Sequence, residues 1–151
     1  MRLVEIASQS NGMPRGYVSA VPDWQALGLL QPFPACTLLD WLKDNPGVPP
    51  FAWDTVRGPI SLQPLNIDRI GVEASLGRRL VELLGEDVAL VRTAIGSSFL
   101  AHHWRPGAGW PASDDGELFE LSSDHITTGE SVTGASYAGT LWIHGEADAG
   151  Q

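Results

Sequence analysis

Three compact apolar runs along the chain are each followed by a turn of small and polar residues. The runs predict buried strands, and they are Leu3 to Ala7, Val88 to Val91 and Ala138 to Ile143. The turns that follow them contain Ser8-Gln9-Ser10-Asn11-Gly12, Gly96-Ser97-Ser98 and His144-Gly145-Glu146-Ala147-Asp148. Such residues end strands because they tolerate turn conformations or hydrogen-bond the backbone locally. The pattern therefore predicts three strands whose carboxyl ends carry polar groups.

Between the first two strands, apolar residues recur at spacings of three and four, as they do on one face of a helix. These residues are Val72, Leu76, Leu80, Leu83 and Leu84. They predict a helix over Gly71 to Leu84, which Gly85 is well placed to end. A weaker helical pattern covers Leu118 to Thr127, before the third strand. The order of strand, helix and strand predicts an α/β fold with a parallel sheet.

A long connection, residues 14–68, separates the first strand from the predicted helix and is rich in Pro, Gly and Trp. Its only convincing helical piece is Thr37 to Lys43. Its tryptophans are Trp24, Trp41 and Trp53. Because disordered linkers are poor in aromatic residues, we predict that this connection packs against the domain as a lid or wall.

All three polar turns follow strands of the same predicted parallel sheet. Open α/β sheets bind ligands at the carboxyl ends of their strands. Any one of these turns is explained equally well as an ordinary polar turn. Three together, each rich in hydrogen-bonding groups, favour a binding or catalytic site at this edge.

The charge balance argues against two kinds of partner. The chain has 151 residues with 9 Lys and Arg against 18 Asp and Glu, and its formal net charge is −9. Lys43 is its only lysine. An acidic protein repels phosphate backbones and anionic lipid headgroups, so we expect neither a nucleic acid nor a membrane as partner. The length fits one domain, residues 1–151, or part of one.

The single cysteine, Cys36, cannot form an intrachain disulfide or a CxxC motif, so we expect it to be a small buried apolar residue. No H-E-x-x-H, P-loop or dinucleotide fingerprint is present, and no metal or cofactor is expected. Glu5 interrupts the apolar run that a secretory signal would need, and no stretch approaches the roughly 18 apolar residues of a membrane span. These features predict a soluble protein without an export signal, either cytoplasmic or part of a larger assembly.

The turn after the first strand is similar to a nucleophile elbow centred on Ser10, although Ser8 stands where G-x-S-x-G has its first glycine. Ser8-Gln9-Ser10-Asn11 with Met13 also resembles the G-Q-S-N-M block of the SGNH-type carbohydrate esterases of the sialate O-acetylesterase kind, which include acetylxylan esterase relatives. Three further segments resemble that family's G-P-E, G-G-T-S-L…W and W-x-Q-G-E-S-D blocks. They are Gly71-Val72-Glu73, Gly96-Ser97-Ser98-Phe99-Leu100 with Trp104, and Trp142-Ile143-His144-Gly145-Glu146-Ala147-Asp148. The resemblance spans almost the whole chain and implies an SGNH-like (flavodoxin-like) three-layer sandwich.

The resemblance also implies a reaction, the removal of an acetyl group from a carbohydrate with Ser10 as the nucleophile. The Ser10 N–H, the Gly96 turn and the His144 side chain would form the oxyanion hole, which donates hydrogen bonds to the developing negative charge. His144 stands where the family has a glutamine, and a neutral imidazole donates through only one nitrogen, so it needs the correct tautomer. Three further residues match positions that would support the site in that family, and they are Asn11, Glu146 and Asp148. For the two acidic residues, a solvated turn is the alternative reading.

The chain departs from the family by lacking the D-x-x-H block that supplies the base histidine and its carboxylate. Counterparts of the family's last strands are also missing, so the third strand would expose apolar surface at an unfinished edge. We therefore expect that a longer polypeptide or a partner chain completes the sheet and supplies the base, or that the site is inactive. His102 or His103 is an alternative base, against a surface or capping role for both, and His125 is a weaker candidate.

A second functional hypothesis is a carbohydrate-binding or structural module, for example of a virion or a surface appendage, that keeps the fold without turnover. The missing D-x-x-H block and the histidine at position 144 favour it. Six tryptophans add flat apolar faces on which sugar rings can stack. Core packing is the competing explanation for tryptophan, and we expect it for Trp41 and Trp142.

Overall fold

The computed structural model describes residues 1–8, 16–17, 33–40, 52–56, 69–70, 72–94, 98–107 and 116–144. The strands and helices in these ranges are β1 (Arg2–Ser8), β2 (Gly16–Tyr17), β3 (Phe33–Asp40), β4 (Ala52–Val56), β5 (Arg69–Ile70), α1 (Glu73–Leu84), β6 (Val88–Ala94), α2 (Glu117–Thr133) and β7 (Ser136–Ile143). No helix of these ranges is long and apolar enough to cross a membrane.

The main sheet has the strand order β4-β3-β6-β1-β7. Strands β3, β6, β1 and β7 are parallel, and β4 pairs with β3 in the antiparallel direction. A separate antiparallel pair is formed by β2 and β5. Helix α1 packs on one face of the main sheet and α2 on the other, which gives three layers. The predicted α/β fold, a three-layer sandwich with a parallel sheet, is confirmed, with four parallel strands rather than three.

The core lies on both faces of the sheet because successive residues of a strand point to opposite sides. The face under α1 is filled by Ile6, Cys36, Leu38, Val88 and Leu90. The face under α2 is filled by Leu3, Leu39, Ala89, Val91 and Ala135. Strands buried on both faces read as nearly continuous apolar runs, and for this reason the sequence predicts β1 and β6.

Helix α1 follows its predicted course, from Glu73 to Leu84, and ends at Gly85 with a φ of 67°. Only glycine adopts this left-handed conformation without steric cost. The helix approaches β3 closely at Gly77, where an added Cβ would lie 2.6 Å from the Cys36 Sγ atom. Helix α2 is longer at both ends than the predicted segment. Cys36 is fully buried, as expected.

The helix predicted over Thr37 to Lys43 is wrong, because Phe33–Asp40 forms strand β3. Leu38 and Leu39 are adjacent, and they enter the cores on opposite faces of the sheet. A short apolar run has no periodicity that separates a doubly buried strand from a helix. The segment 14–68 therefore contains two strands of the main sheet. They are the parallel strand β3, which lies between β4 and β6, and the antiparallel strand β4. Lys43 and Trp41 lie outside the described residues.

Strand β7 is present as predicted, but the expectation that it is buried is wrong. It pairs with β1 alone among the described strands, so it forms an edge of the sheet. Every described residue of β7 is at least partly exposed, including the large apolar side chains Tyr137, Leu141 and Trp142. The expected apolar edge therefore exists. Its covering by a further segment or a partner chain stays a prediction.

Candidate functional site

The carboxyl ends of β6, β1 and β7 meet at one edge of the sheet. Strand β1 lies between the other two, and its last residue, Ser8, is level with Ala94 of β6 and Ile143 of β7. The turns that leave these three strands therefore start side by side. The sequence predicts from the parallel sheet alone that the ends of these strands lie at one edge, and the structure confirms it.

Most of the predicted site residues lie in the turns beyond these strand ends. Ser10, Asn11, Gly96, Glu146 and Asp148 fall outside the described residues, and their roles stay predictions. His144 is described and lies directly after β7. It is the predicted site residue whose surroundings the structure defines.

Ser8, which stands in place of the elbow's first glycine, joins two of the strand ends. Its side chain is fully buried, and its hydroxyl donates a hydrogen bond of 2.6 Å to the carbonyl oxygen of Ile143. This bond fixes the end of β1, from which the Ser10 turn departs, against the end of β7, which carries His144. Sequence reasoning treated Ser8 as a departure from a motif and missed this function.

The His144 ring is held by one hydrogen bond and two aromatic neighbours. Its Nε2 atom lies 3.2 Å from the hydroxyl oxygen of Ser98, which is buried. The Trp104 ring meets it edge-on with centroids 6.1 Å apart, and the Trp142 ring lies 5.8 Å away at a tilt of 30°. Ser98 follows the end of β6, so this contact ties the β6 and β7 turns together across β1.

The two tryptophans beside His144 differ in exposure. Trp104 is 5% exposed and packs with Ala7 and Leu118. Trp142 is 47% exposed, and its ring centroid lies 4.7 Å from that of Trp104. The expectation that Trp142 is a core residue is therefore wrong. Its strand forms an edge of the sheet among the described strands, and part of the side chain is exposed there.

The adjacent histidines of the 98–107 turn have different environments. The backbone N–H of Phe99 donates to the Nδ1 atom of His103 at 3.0 Å, and the two rings stack with centroids 6.0 Å apart. His103 therefore stabilises the turn, as the capping reading proposed. The His102 side chain is exposed, and its backbone carbonyl accepts from the Gly116 N–H at 2.7 Å.

A polar network that sequence reasoning missed lies on the α2 side of the sheet, and it is buried at Glu5, Thr93 and His125. The Thr93 and Thr140 hydroxyls donate to the two carboxyl oxygens of Glu5, at 3.0 and 2.7 Å. Thr93 has then used its proton, so its oxygen accepts from the Nδ1–H of His125, 2.8 Å away. Thr140 has likewise used its proton in the bond to Glu5, so its oxygen accepts a hydrogen bond from the Tyr137 hydroxyl, 2.6 Å away. Glu5 thus links β1 to β6, β7 and α2, and the one signal for it was a charged residue inside an apolar run.

A buried ion pair lies on the other face. Arg92 of β6 donates to the Glu73 carboxylate at 2.9 Å, and both side chains are completely buried. Glu73 belongs to the segment that resembles the G-P-E block, and it starts α1. The pair therefore anchors the first turn of α1 to β6. Within the described ranges, no group of three or more His, Cys, Asp or Glu residues could hold a metal ion.

No protein-family model matches the chain, and no curated protein matches it in sequence. Solved structures do resemble it. A carbohydrate acetylesterase from Xanthomonas citri superposes with a TM-score of 0.58 at 14% identity, over 97% of this chain and 33% of its own. A protein from Arabidopsis thaliana gives a TM-score of 0.63 at 16% identity, over 97% of this chain and 58% of its own. The chain thus has an esterase-like fold and spans a third to about three fifths of these proteins' lengths.

Proposed function

We propose that this chain is a carbohydrate O-acetylesterase-like domain that hydrolyses acetyl esters on sugars. The observation that carries this proposal is the placement of His144. Its imidazole is fixed at the carboxyl edge of the sheet, next to the strand that leads into Ser10. The esterase-like fold and the resemblance of four sequence blocks support the same reading.

In the proposed reaction, the Ser10 hydroxyl attacks the acetyl carbonyl carbon and loses its proton to a base. The carbonyl oxygen becomes an oxyanion, which accepts hydrogen bonds from the Ser10 N–H, the Gly96 turn and His144. The sugar hydroxyl leaves with a proton, and water then releases acetate from Ser10. The base is a histidine that a further segment or a partner chain supplies, or one of this chain outside the D-x-x-H pattern.

Ser10→Ala is expected to lower the rate of acetate release by at least about 1,000-fold, because the acyl-enzyme can no longer form. The assay uses the full-length polypeptide with an aryl acetate and an acetylated sugar. Ser123→Ala, which removes an exposed serine from α2, is the matched control and should leave the rate unchanged. The proposal is wrong if the unmodified protein releases no acetate, or if Ser10→Ala keeps the rate.

The 47% exposure of Trp142 favours a second candidate, a carbohydrate-binding module without turnover. An aromatic face is an apolar platform for the C–H groups of a sugar ring, and this one adjoins His144. Trp142→Ala is then expected to weaken sugar binding about two- to tenfold, measured by calorimetry with an acetylated sugar. Phe119→Ala, which removes an exposed aromatic from α2, is the control. Equal affinity of Trp142→Ala and the unmodified protein would exclude this platform.

A further inference from the structure

Strand β7 is bound to the main sheet from one side only among the described strands. Its partner there is β1, and all of its described residues are at least partly exposed. Segments with little buried surface open locally at a low free energy. His144 follows β7 directly, so the position of its ring depends on how firmly the last residues of β7 are bound to β1.

Two side chains of β1 bind β7. The Glu5 carboxylate accepts a hydrogen bond from the Thr140 hydroxyl at 2.7 Å. The Ser8 hydroxyl donates to the Ile143 carbonyl oxygen at 2.6 Å, and the direction of this bond is fixed because a carbonyl oxygen only accepts. Glu5 and Ser8 are three residues apart, so they lie on opposite faces of the strand. The Ser8 bond is the one nearer the site, since Ile143 directly precedes His144.

The Ser8 bond is a feature of this chain rather than of the sequence block that it resembles. The G-Q-S-N-M block begins with glycine, which has no side chain to form such a bond, whereas Ser8 adds a fully buried hydroxyl at this position. We infer that Ser8 is a positioning residue whose hydroxyl fixes the end of β7 on β1 and so holds the His144 ring in the site. Its role in turnover rests on the proposed function, but the position of the ring does not.

The ring and the backbone of His144 depend on different strands. The ring contacts Ser98 and Trp104 of the segment that follows β6, at 3.2 Å from the hydroxyl oxygen and 6.1 Å between ring centroids. The backbone continues β7, on the other side of β1. These contacts therefore require β7 to keep its register on β1, which the Ser8 bond fixes at the last residue pair, Ser8 and Ile143. A displacement of about 1 Å at a reacting group can lower a rate by as much as 100-fold.

The ring position is measured by NMR of the His144 ring protons in the full-length protein, because the indoles of Trp104 and Trp142 shift the signals of nuclei beside them. The chain has four histidines, and His144→Gln identifies the signals of His144. We expect Ser8→Ala and Ser8→Gly to move these signals towards their values in the urea-unfolded chain. Ser75→Ala removes an exposed hydroxyl that donates to a backbone carbonyl at the start of α1. It is the matched control and should leave the signals in place, whereas unchanged signals in Ser8→Ala overturn the inference.

The same spectra separate a loss of position from a general loss of stability. A variant that is merely less stable stays almost fully folded without denaturant and keeps the native His144 signals. Nuclear Overhauser effects between the ring protons of His144 and Trp104 should weaken in Ser8→Ala and persist in Ser75→Ala. If they persist in Ser8→Ala as well, the ring contacts alone hold His144, and the role assigned to Ser8 is refuted.

Kinetics test the role of Ser8 in turnover. Ser8→Ala is expected to lower kcat about tenfold with KM within about twofold, because the proposed donor His144 acts on the transition state rather than on the bound ester. Ser75→Ala should keep both constants. A Ser8→Ala protein whose His144 ring is displaced but whose kcat is unchanged refutes the role in turnover. A displaced ring in a protein without any esterase activity refutes the proposed function and leaves the positioning of His144 by Ser8 intact.

Discussion

Replacing Arg92 by methionine is expected to lower the free energy of unfolding by about 3–5 kcal/mol, measured by urea denaturation. The guanidinium and the Glu73 carboxylate are completely buried and 2.9 Å apart. Methionine fills part of the space but removes the positive charge and the hydrogen bond that Arg92 gives the buried carboxylate. Removing one member of a buried pair costs more than the pair itself contributes, because both groups were desolvated on folding.

Two variants separate this burial effect from a general effect of removing arginine. Arg79→Met breaks the exposed pair between Arg79 and Glu82 of the same helix, and we expect a loss within about 0.5 kcal/mol. The double variant Glu73→Leu with Arg92→Met removes both charges and should regain most of the stability lost by Arg92→Met alone. Equal losses from Arg92→Met and Arg79→Met would contradict the buried pair.

Raising the pH above 9 is expected to destabilise the protein through Cys36. Burial raises the pKa of this thiol from 9.0 to about 12, while the charge of Arg78 opposes the shift. Between these two values the unfolded chain loses the thiol proton and the folded chain keeps it, so stability falls as the pH rises. The contribution is present below pH 9, and about 2 kcal/mol of it is lost by pH 10.5.

Cys36→Ala isolates this contribution from that of the other groups that titrate in alkali. Urea denaturation of both proteins from about pH 8 to pH 10.5 gives the two stability curves. The unmodified protein should be the more stable one at pH 8, and its advantage should shrink by about 2 kcal/mol across the range. Parallel curves would mean that the thiol titrates alike in the folded and unfolded chains.

Local pattern was enough to predict the elements that build the βαβ unit. Strand β1, helix α1, strand β6 and strand β7 lie within a few residues of their predicted bounds. Each was recognisable because one physical cause dominates its sequence. The apolar face of α1 repeats with the helical period, and the doubly buried strands β1 and β6 contain short, mostly apolar runs followed by polar turns. The parallel order then placed the three turns at one edge without further information.

Tertiary contacts decided the elements whose sequences fit two structures. The segment that contains Leu38 and Leu39 has the composition of a helix or a buried strand, and its position between β6 and β4 makes it a strand. Strand β7 has the apolar run of a central strand, yet it lies at the edge of the sheet. Trp142 is exposed for that reason, since burial depends on which neighbours are present rather than on the residue itself.

The site shows the same division. The sequence determined that Ser10, Gly96 and His144 follow strand ends, because this needs only the chain order and the parallel sheet. It did not determine that Ser98 hydrogen-bonds His144, because 46 residues separate the two in the chain and the contact forms only when β6 and β7 flank β1. The hydrogen bond between the Ser98 hydroxyl and the His144 ring is a property of the tertiary structure alone.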